Sequence, residues 1–217
     1  MKKSRKENKF SEDYYLRGVE SGLSNYTNYR WLPELTLPMA SSLKDFMNIK
    51  DGETILDYGC ARGYLVKALR SLNVEAYGCD ISEWAIHNCD PQVSDFVGFS
   101  FDKEGGYDHI FCKDVLEHVP QEELDCLLPR LFKAAKRSCF FIVPLAIVDG
   151  GSYIFPNDEK DITHIHRKTL GGWVSLLQQY SDEFIVITSN VPKLKPCVID
   201  YPGSAGFIYC GRTKNKV

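Results

Sequence analysis

Short apolar runs alternate with helix-like stripes from residue 53 to the end of the chain. Residues 53–59 (ETILDYG), 74–80 (VEAYGCD), 95–100 (DFVGFS), 107–114 (YDHIFCKD), 138–144 (SCFFIVP), 183–189 (EFIVITS) and 206–212 (GFIYCGR) are the runs, and their length predicts strands. Between them, Leu65, Ala68, Leu69 and Leu72 recur at i, i+3, i+4 and i+7, one face of a helix. Leu124, Leu127, Leu128, Leu131, Phe132 and Ala135 form a second stripe over 121–135, and Leu170, Trp173, Val174 and Leu177 a third. Ser82 predicts an N-cap for a short helix through Trp84, Ala85 and Ile86. Pro129 interrupts the second stripe and predicts a kink or two short helices. Strand and helix in alternation predict an α/β, doubly wound, mostly parallel sheet with helices on both faces. The first 50 residues differ: they are rich in Tyr, Asn and Gly without a clear period until a helix near 36–38 that carries Leu43, Phe46 and Met47. We therefore expect a basic tail and cap or lid over 1–50, and one α/β domain over 51–217.

Composition narrows the class. With 44% hydrophobic and 25% charged residues the chain reads as an ordinary soluble domain. The longest apolar run, 139–148, contains Pro144 and falls well short of the roughly 20 residues that span a bilayer. The basic N-terminus has no apolar stretch behind it, so no secretory signal is expected. Eight cysteines form no C-x-x-C pair, and most sit inside apolar runs, which predicts reduced core thiols and a cytoplasmic protein. Net charge is −3, but residues 1–10 carry +4 and residues 211–217 carry +3, leaving a body of −10. An acidic body argues against a nucleic-acid partner, and the basic ends read as solvated tails.

Chemistry is expected outside the carboxyl ends of the strands, where doubly wound sheets bind ligands. The first such end reads Asp57-Tyr58-Gly59-Cys60-Ala61-Arg62-Gly63, with Gly59 for a tight turn and Gly63 opening the helix. Asp80 tips the second strand, where a carboxylate can accept from both ribose hydroxyls. A dinucleotide site wants a glycine where Ala61 stands, and Asp57 would repel a pyrophosphate, so a cationic nucleoside ligand fits better than a nicotinamide dinucleotide.

The motifs ILDYGCARG, CD at 79–80, YDHIFCKDVLEHVP at 107–120 and FIVP at 141–144 make the chain resemble the class I S-adenosylmethionine (SAM) dependent methyltransferases over about residues 50–190, in particular the quinone-biosynthesis type (type 11/23). The resemblance implies a Rossmann-like seven-stranded sheet with an antiparallel last strand. It implies SAM as cofactor, with Asp57, Gly59, Cys60, Ala61, Gly63, Asp80, Ile81, Asp114 and Val115 at the cofactor site. Departures are the Cys60-Ala61 pair, where glycine is common, and a short third-strand region, which leaves the adenine contact open.

Methyl transfer asks the protein mainly for alignment and exclusion of water, with a base where the acceptor is a hydroxyl. His164, Asp114 and His118 are the candidate catalytic residues, and His166 is a second loop histidine beside His164. Asp114, Glu117 and His118 stand at i, i+3 and i+4, so with His164 they could hold a divalent ion such as Mg²⁺ or simply shape the cofactor pocket. The expected function is methylation of a small-molecule or sugar-like acceptor at oxygen. The alternatives are an RNA methyltransferase and a catalytically inactive SAM-fold partner subunit.

Overall fold

The computed structural model describes residues 9–103, 106–181, 183–187 and 191–211. Most of the basic residues at both ends of the chain, and positions 188 and 189 of an expected strand, lie outside these. In chain order the elements are α1 (Glu12–Leu16), α2 (Gly18–Ser21), α3 (Pro33–Phe46), β1 (Thr54–Tyr58), α4 (Tyr64–Ser71), β2 (Glu75–Cys79), α5 (Glu83–His87), β3 (Val97–Gly98), β4 (Tyr107–Lys113), α6 (Gln121–Ala134), β5 (Ala135–Pro144), α7 (Leu170–Leu177), β6 (Glu183–Ile187) and β7 (Ala205–Gly211).

The central strands are apolar on both faces because both faces are covered. Along β5, Phe140 and Ile142 enter one core with Leu43, Val66 and Leu69 of α3 and α4. Their neighbours Cys139, Phe141 and Val143 enter the other, with Leu124, Leu128 and Leu131 of α6 and Trp173 of α7. The period of two thus sorts one apolar run into two layers. Strand order is β3-β2-β1-β4-β5-β7-β6. Pairing is parallel from β3 through β5, and β7 runs antiparallel to both β5 and β6. The order in which the chain lays down its strands reverses between the parallel neighbours β1 and β4, which makes their carboxyl ends the topological switch point.

Several expectations need correction. Six strands have five residues or more, while the expected third strand is only the two-residue ladder Val97–Gly98. Asp90 caps a 3-10 turn over Pro91–Phe96 by accepting from the Gln92 N–H, and that turn takes up the rest of the segment. Pro129 does not split its helix: α6 runs unbroken over Gln121–Ala134. The stripe of Leu124, Leu127, Leu128, Leu131 and Phe132 is buried on the core, and that burial outweighs the hydrogen bond proline removes. The segment without a period contains two short helices, and α3 begins at Pro33, earlier than expected, with Pro38 inside it. The Ser82 cap is present, its hydroxyl accepting from the Ala85 N–H at 3.0 Å. Among the described residues no helix is long and apolar enough to cross a membrane.

Candidate active site

At the end of β1 the chain must turn sharply under the end of β4. Gly59 has φ +85°, and a Cβ there would lie 2.2 Å from Val115 Cγ2. Glycine is therefore demanded twice, by backbone conformation and by the close approach of Val115. The Gly59 and Cys60 N–H groups both donate to the Cys79 carbonyl, at 2.8 and 3.0 Å, which ties the turn to the end of β2. Ala61 takes φ +48°, a region glycine would occupy without cost, and its N–H donates to Asp80 Oδ2 at 2.7 Å. Asp80 Oδ1 accepts from the Ser82 N–H at 2.8 Å. Burial raises the Asp80 carboxyl above its ordinary range. Asp57 is 6% exposed, and burial followed by the neighbouring Asp80 charge pushes its carboxyl up to about 7. Two desolvated acids side by side favour a ligand that brings positive charge.

A cavity of about 720 Å³ opens at this turn. Asp57, Gly59, Cys60, Ala61, Asp80, Ile81, Asp114, Val115 and His118 line it, so the structure brings together all but Gly63 of the expected cofactor residues. Gly63 stands at the start of α4 with φ +74°, where a Cβ would press on Val93 and Val97 at 3.0 Å. Gly63 is not among the residues that line the cavity.

The far end of the cavity departs from the sequence reading. Asp114 has φ +53° and is followed by a 3-10 turn at Leu116–His118, so Asp114, Glu117 and His118 do not share a helical face. Burial alone would raise the Asp114 carboxyl, but the ammonium groups of Lys113 and Lys195 bind it and hold it well below the usual carboxylate range. Lys195, 7% exposed, comes from the loop before β7, and nothing in its local sequence signals the role. His118 faces the cavity, and its Nδ1 lies 2.7 Å from Thr163 Oγ1. Burial, then the adjacent His164 ring, lowers His118 to about 4. His164 is not part of the cavity wall. It sits behind His118 with ring centroids 4.7 Å apart, and its Nε2 is 3.9 Å from Glu117 Oε1. Glu117 is fully buried, both its carboxylate oxygens and His164 Nδ1 lack a hydrogen-bond partner, and burial pushes Glu117 well above the carboxylate range. Glu117, His118 and His164 offer ligand atoms within 4.8 Å of one another, a spacing that suits a divalent ion. His166 points elsewhere and donates from Nε2 to the Val119 carbonyl at 2.7 Å.

The N-terminal segment forms one wall. Phe10, Tyr14, Tyr15, Tyr26 and Tyr29 line the cavity. Tyr15 stacks on Trp84, and Tyr29 stacks on Tyr64. Ser82 Oγ donates to the Phe10 carbonyl at 2.6 Å, so the residue that caps α5 also anchors this wall. Phe99, which follows β3, is 55% exposed and lines the cavity with Ile81. Sequence reasoning missed Phe99 because its strand is so short.

The family described as a methyltransferase domain matches residues 31–180. The ubiquinone biosynthesis O-methyltransferase of Paraburkholderia xenovorans (strain LB400) is 33% identical over 81 residues, 32% of this chain and 35% of that protein. The chain thus matches about a third of the length of that curated relative. A SAM-dependent methyltransferase from Archaeoglobus fulgidus superposes with a TM-score of 0.59 at 17% identity, covering 83% of this chain and 97% of that one. A chain in the complex between the Haloferax volcanii Trm112 methyltransferase activator and a methyltransferase gives 0.63 at 12% identity, over 84% and 92%. These two likenesses are of fold. Taken with the family match over 31–180 and the acid-flanked glycine turn at the switch point, they show that the chain belongs to the class I SAM-dependent methyltransferases.

Proposed function

We propose that the protein transfers a methyl group from SAM to an oxygen of a small-molecule or sugar-like acceptor. The observation that carries this reading is a single cavity running from Asp57, Gly59 and Asp80 to His118. SAM supplies a methyl group made electrophilic by its sulfonium. Asp80 holds the ribose hydroxyls with lone pairs not used by the Ala61 and Ser82 N–H groups. Asp57 provides charge for the ammonium end, and Ile81 and Phe99 give the adenine an apolar slot. Cys60, Ala61, Asp114 and Val115 complete the floor. His118, rather than His164, faces the acceptor and takes its proton, and the N-terminal wall excludes water. The O-methyltransferase relative supports oxygen as the acceptor atom.

The test is release of S-adenosylhomocysteine from SAM with a panel of phenols, hydroxy acids, sugars and short RNAs. Turnover on the small hydroxylated compounds supports the reading. Turnover on RNA alone, or SAM binding with no turnover on any acceptor, overturns it in favour of an RNA methyltransferase or an inactive partner subunit. His118→Gln should cut turnover about 100-fold or more while SAM affinity stays intact. His166→Ala should change little, because that ring serves the Val119 carbonyl.

A second reading is favoured by the unpartnered Glu117 oxygens and His164 Nδ1. Glu117, His118 and His164 would hold a divalent ion that polarises the acceptor hydroxyl. Calorimetric titration of the protein with Mg²⁺ and Mn²⁺ tests it without an acceptor. Binding that Glu117→Gln abolishes supports the ion, and absence of heat with both metals excludes it.

A further inference from the structure

A chain of buried hydrogen bonds runs from the N-terminal wall to His118. Tyr14 Oη donates to Asp161 Oδ2 at 2.7 Å. The other oxygen of that carboxylate, Oδ1, accepts the Thr163 N–H at 2.9 Å and the Thr163 hydroxyl at 2.5 Å. Thr163 Oγ1 in turn lies 2.7 Å from His118 Nδ1. Tyr14, Asp161 and Thr163 are all buried. None of the three lies in the glycine turn or among the candidate ion ligands.

The direction of each bond follows from a proton count. A carboxylate has only lone pairs, so Asp161 accepts in all three of its bonds. Thr163 owns a single hydroxyl proton, and Asp161 takes it. Towards His118 the threonine oxygen can then only accept, and Nδ1 must be the protonated nitrogen. A neutral imidazole carries one N–H, which leaves Nε2 with a free lone pair. Nε2 is not among the buried unpartnered atoms and belongs to a ring that lines the cavity.

We propose that Thr163, Asp161 and Tyr14 are positioning residues that fix His118 as its Nδ1–H tautomer, so that the Nε2 lone pair faces the acceptor end of the cavity. Tyr14 makes the arrangement depend on the N-terminal segment. Its hydroxyl, delivered by α1, holds the outer oxygen of Asp161 and keeps the inner one aimed at Thr163. The same segment is pinned beside the cofactor end through the Ser82 bond to the Phe10 carbonyl. Seating of one wall thereby sets the ring at the far end of the cavity. An orphaned buried carboxylate is costly, so loss of the Tyr14 hydroxyl loosens Asp161 without removing any cavity-lining ring. The inference rests on the reading of His118 as the group facing the acceptor, but the tautomer is measurable without an acceptor.

The experiment is a long-range ¹H–¹⁵N correlation spectrum of the full chain labelled in its histidine rings, recorded with S-adenosylhomocysteine above neutral pH. The His118 signals are identified by their loss in His118→Gln. The expected result is an Nδ1–H pattern for His118 in the unmodified protein. Thr163→Val should convert it to the Nε2–H form or a mixture, since imidazole in water favours Nε2–H. Thr163→Ser, which restores the hydroxyl without the methyl group, should return the Nδ1–H pattern and guards against a folding defect in the valine variant. Tyr14→Phe should give a mixture, because Asp161 is then held at one oxygen only.

An Nε2–H pattern in the unmodified protein overturns the relay, and so does an Nδ1–H pattern that survives Thr163→Val. A Tyr14→Phe spectrum identical to the unmodified one overturns the dependence on the N-terminal wall. If the tautomer responds as described but His118→Gln turns over normally, the relay stands and the role of His118 in transfer fails.

Discussion

At the scale of single residues the cofactor end is set by two acids whose charges resist desolvation. Burial raises both carboxyls and pushes Asp57 up to about 7, so SAM, as a cation, binds best when Asp57 is ionised. SAM affinity should therefore fall as pH drops below about 7, by up to tenfold per unit, and Asp57→Asn should flatten the profile. Calorimetry across pH checks this, and a level profile for the unmodified protein would refute it. In the free protein the sign is opposite. An acid whose folded-state pKa is raised favours folding below the ordinary carboxylate range, and that contribution is lost as pH rises to about 7. Asp80 lies at the second acid position, where its two oxygens already hold the Ala61 and Ser82 N–H groups. Asp80→Ala should weaken SAM binding by about 1.5–3 kcal/mol, the value of hydrogen bonds to a charged group. Unchanged affinity in calorimetry would remove Asp80 from the ribose site. Both acids were legible in the sequence because each ends a strand at a known spacing from Gly59. The Asp114 ion pairs were not, since Lys195 reaches it from 81 positions away.

At the scale of elements, packing overruled local propensity. Proline in a helix interior costs roughly 3 kcal/mol, yet α6 stays whole around Pro129 because its apolar stripe is buried on the sheet. Pro129 itself is exposed, so Pro129→Ala loses no core contact. The variant should be more stable by up to about 3 kcal/mol in urea unfolding, since that net penalty already includes the stiffness of proline in the unfolded chain. A variant no more stable than the parent would mean that the helix is already relaxed around the ring. The N-terminal elements show the reverse case. Helices as short as α1 and α2 cannot hold themselves in water, and they persist here through Tyr14, Tyr15 and Gly18, which are buried. We propose residues 1–50 as the tail and wall, and 51–217 as the catalytic domain. Removing residues 1–32 should abolish transfer and loosen SAM, because the aromatic wall goes with them. A truncated protein that methylates normally would leave the segment as packing alone.

At the scale of the molecule, the order β3-β2-β1-β4-β5-β7-β6 brings the ends of β1 and β4 together, and the glycine turn meets the Asp114–His118 turn only there. Asp57 and Asp80 put acidic groups where the ligand is expected to be cationic, while Lys113 and Lys195 neutralise Asp114. One patch of the molecule thus handles two charge problems with opposite partners.

The sequence by itself determined the parts that depend on local order. Alternation of strand and helix, the turn at Gly59, the Ser82 cap and the acid at the end of β2 all follow from spacing, because strand period, helix period and turn chemistry act over a few residues. Tertiary structure decided what depends on distant partners. It made His118 rather than His164 the cavity-facing imidazole, gave Thr163 to His118 across 45 positions, and gave Tyr14 to Asp161 across 147. It also reduced the third strand to two residues and kept α6 continuous through its proline. Those outcomes turn on desolvation and burial, which are properties of the packed whole and have no signature in any short window of the chain.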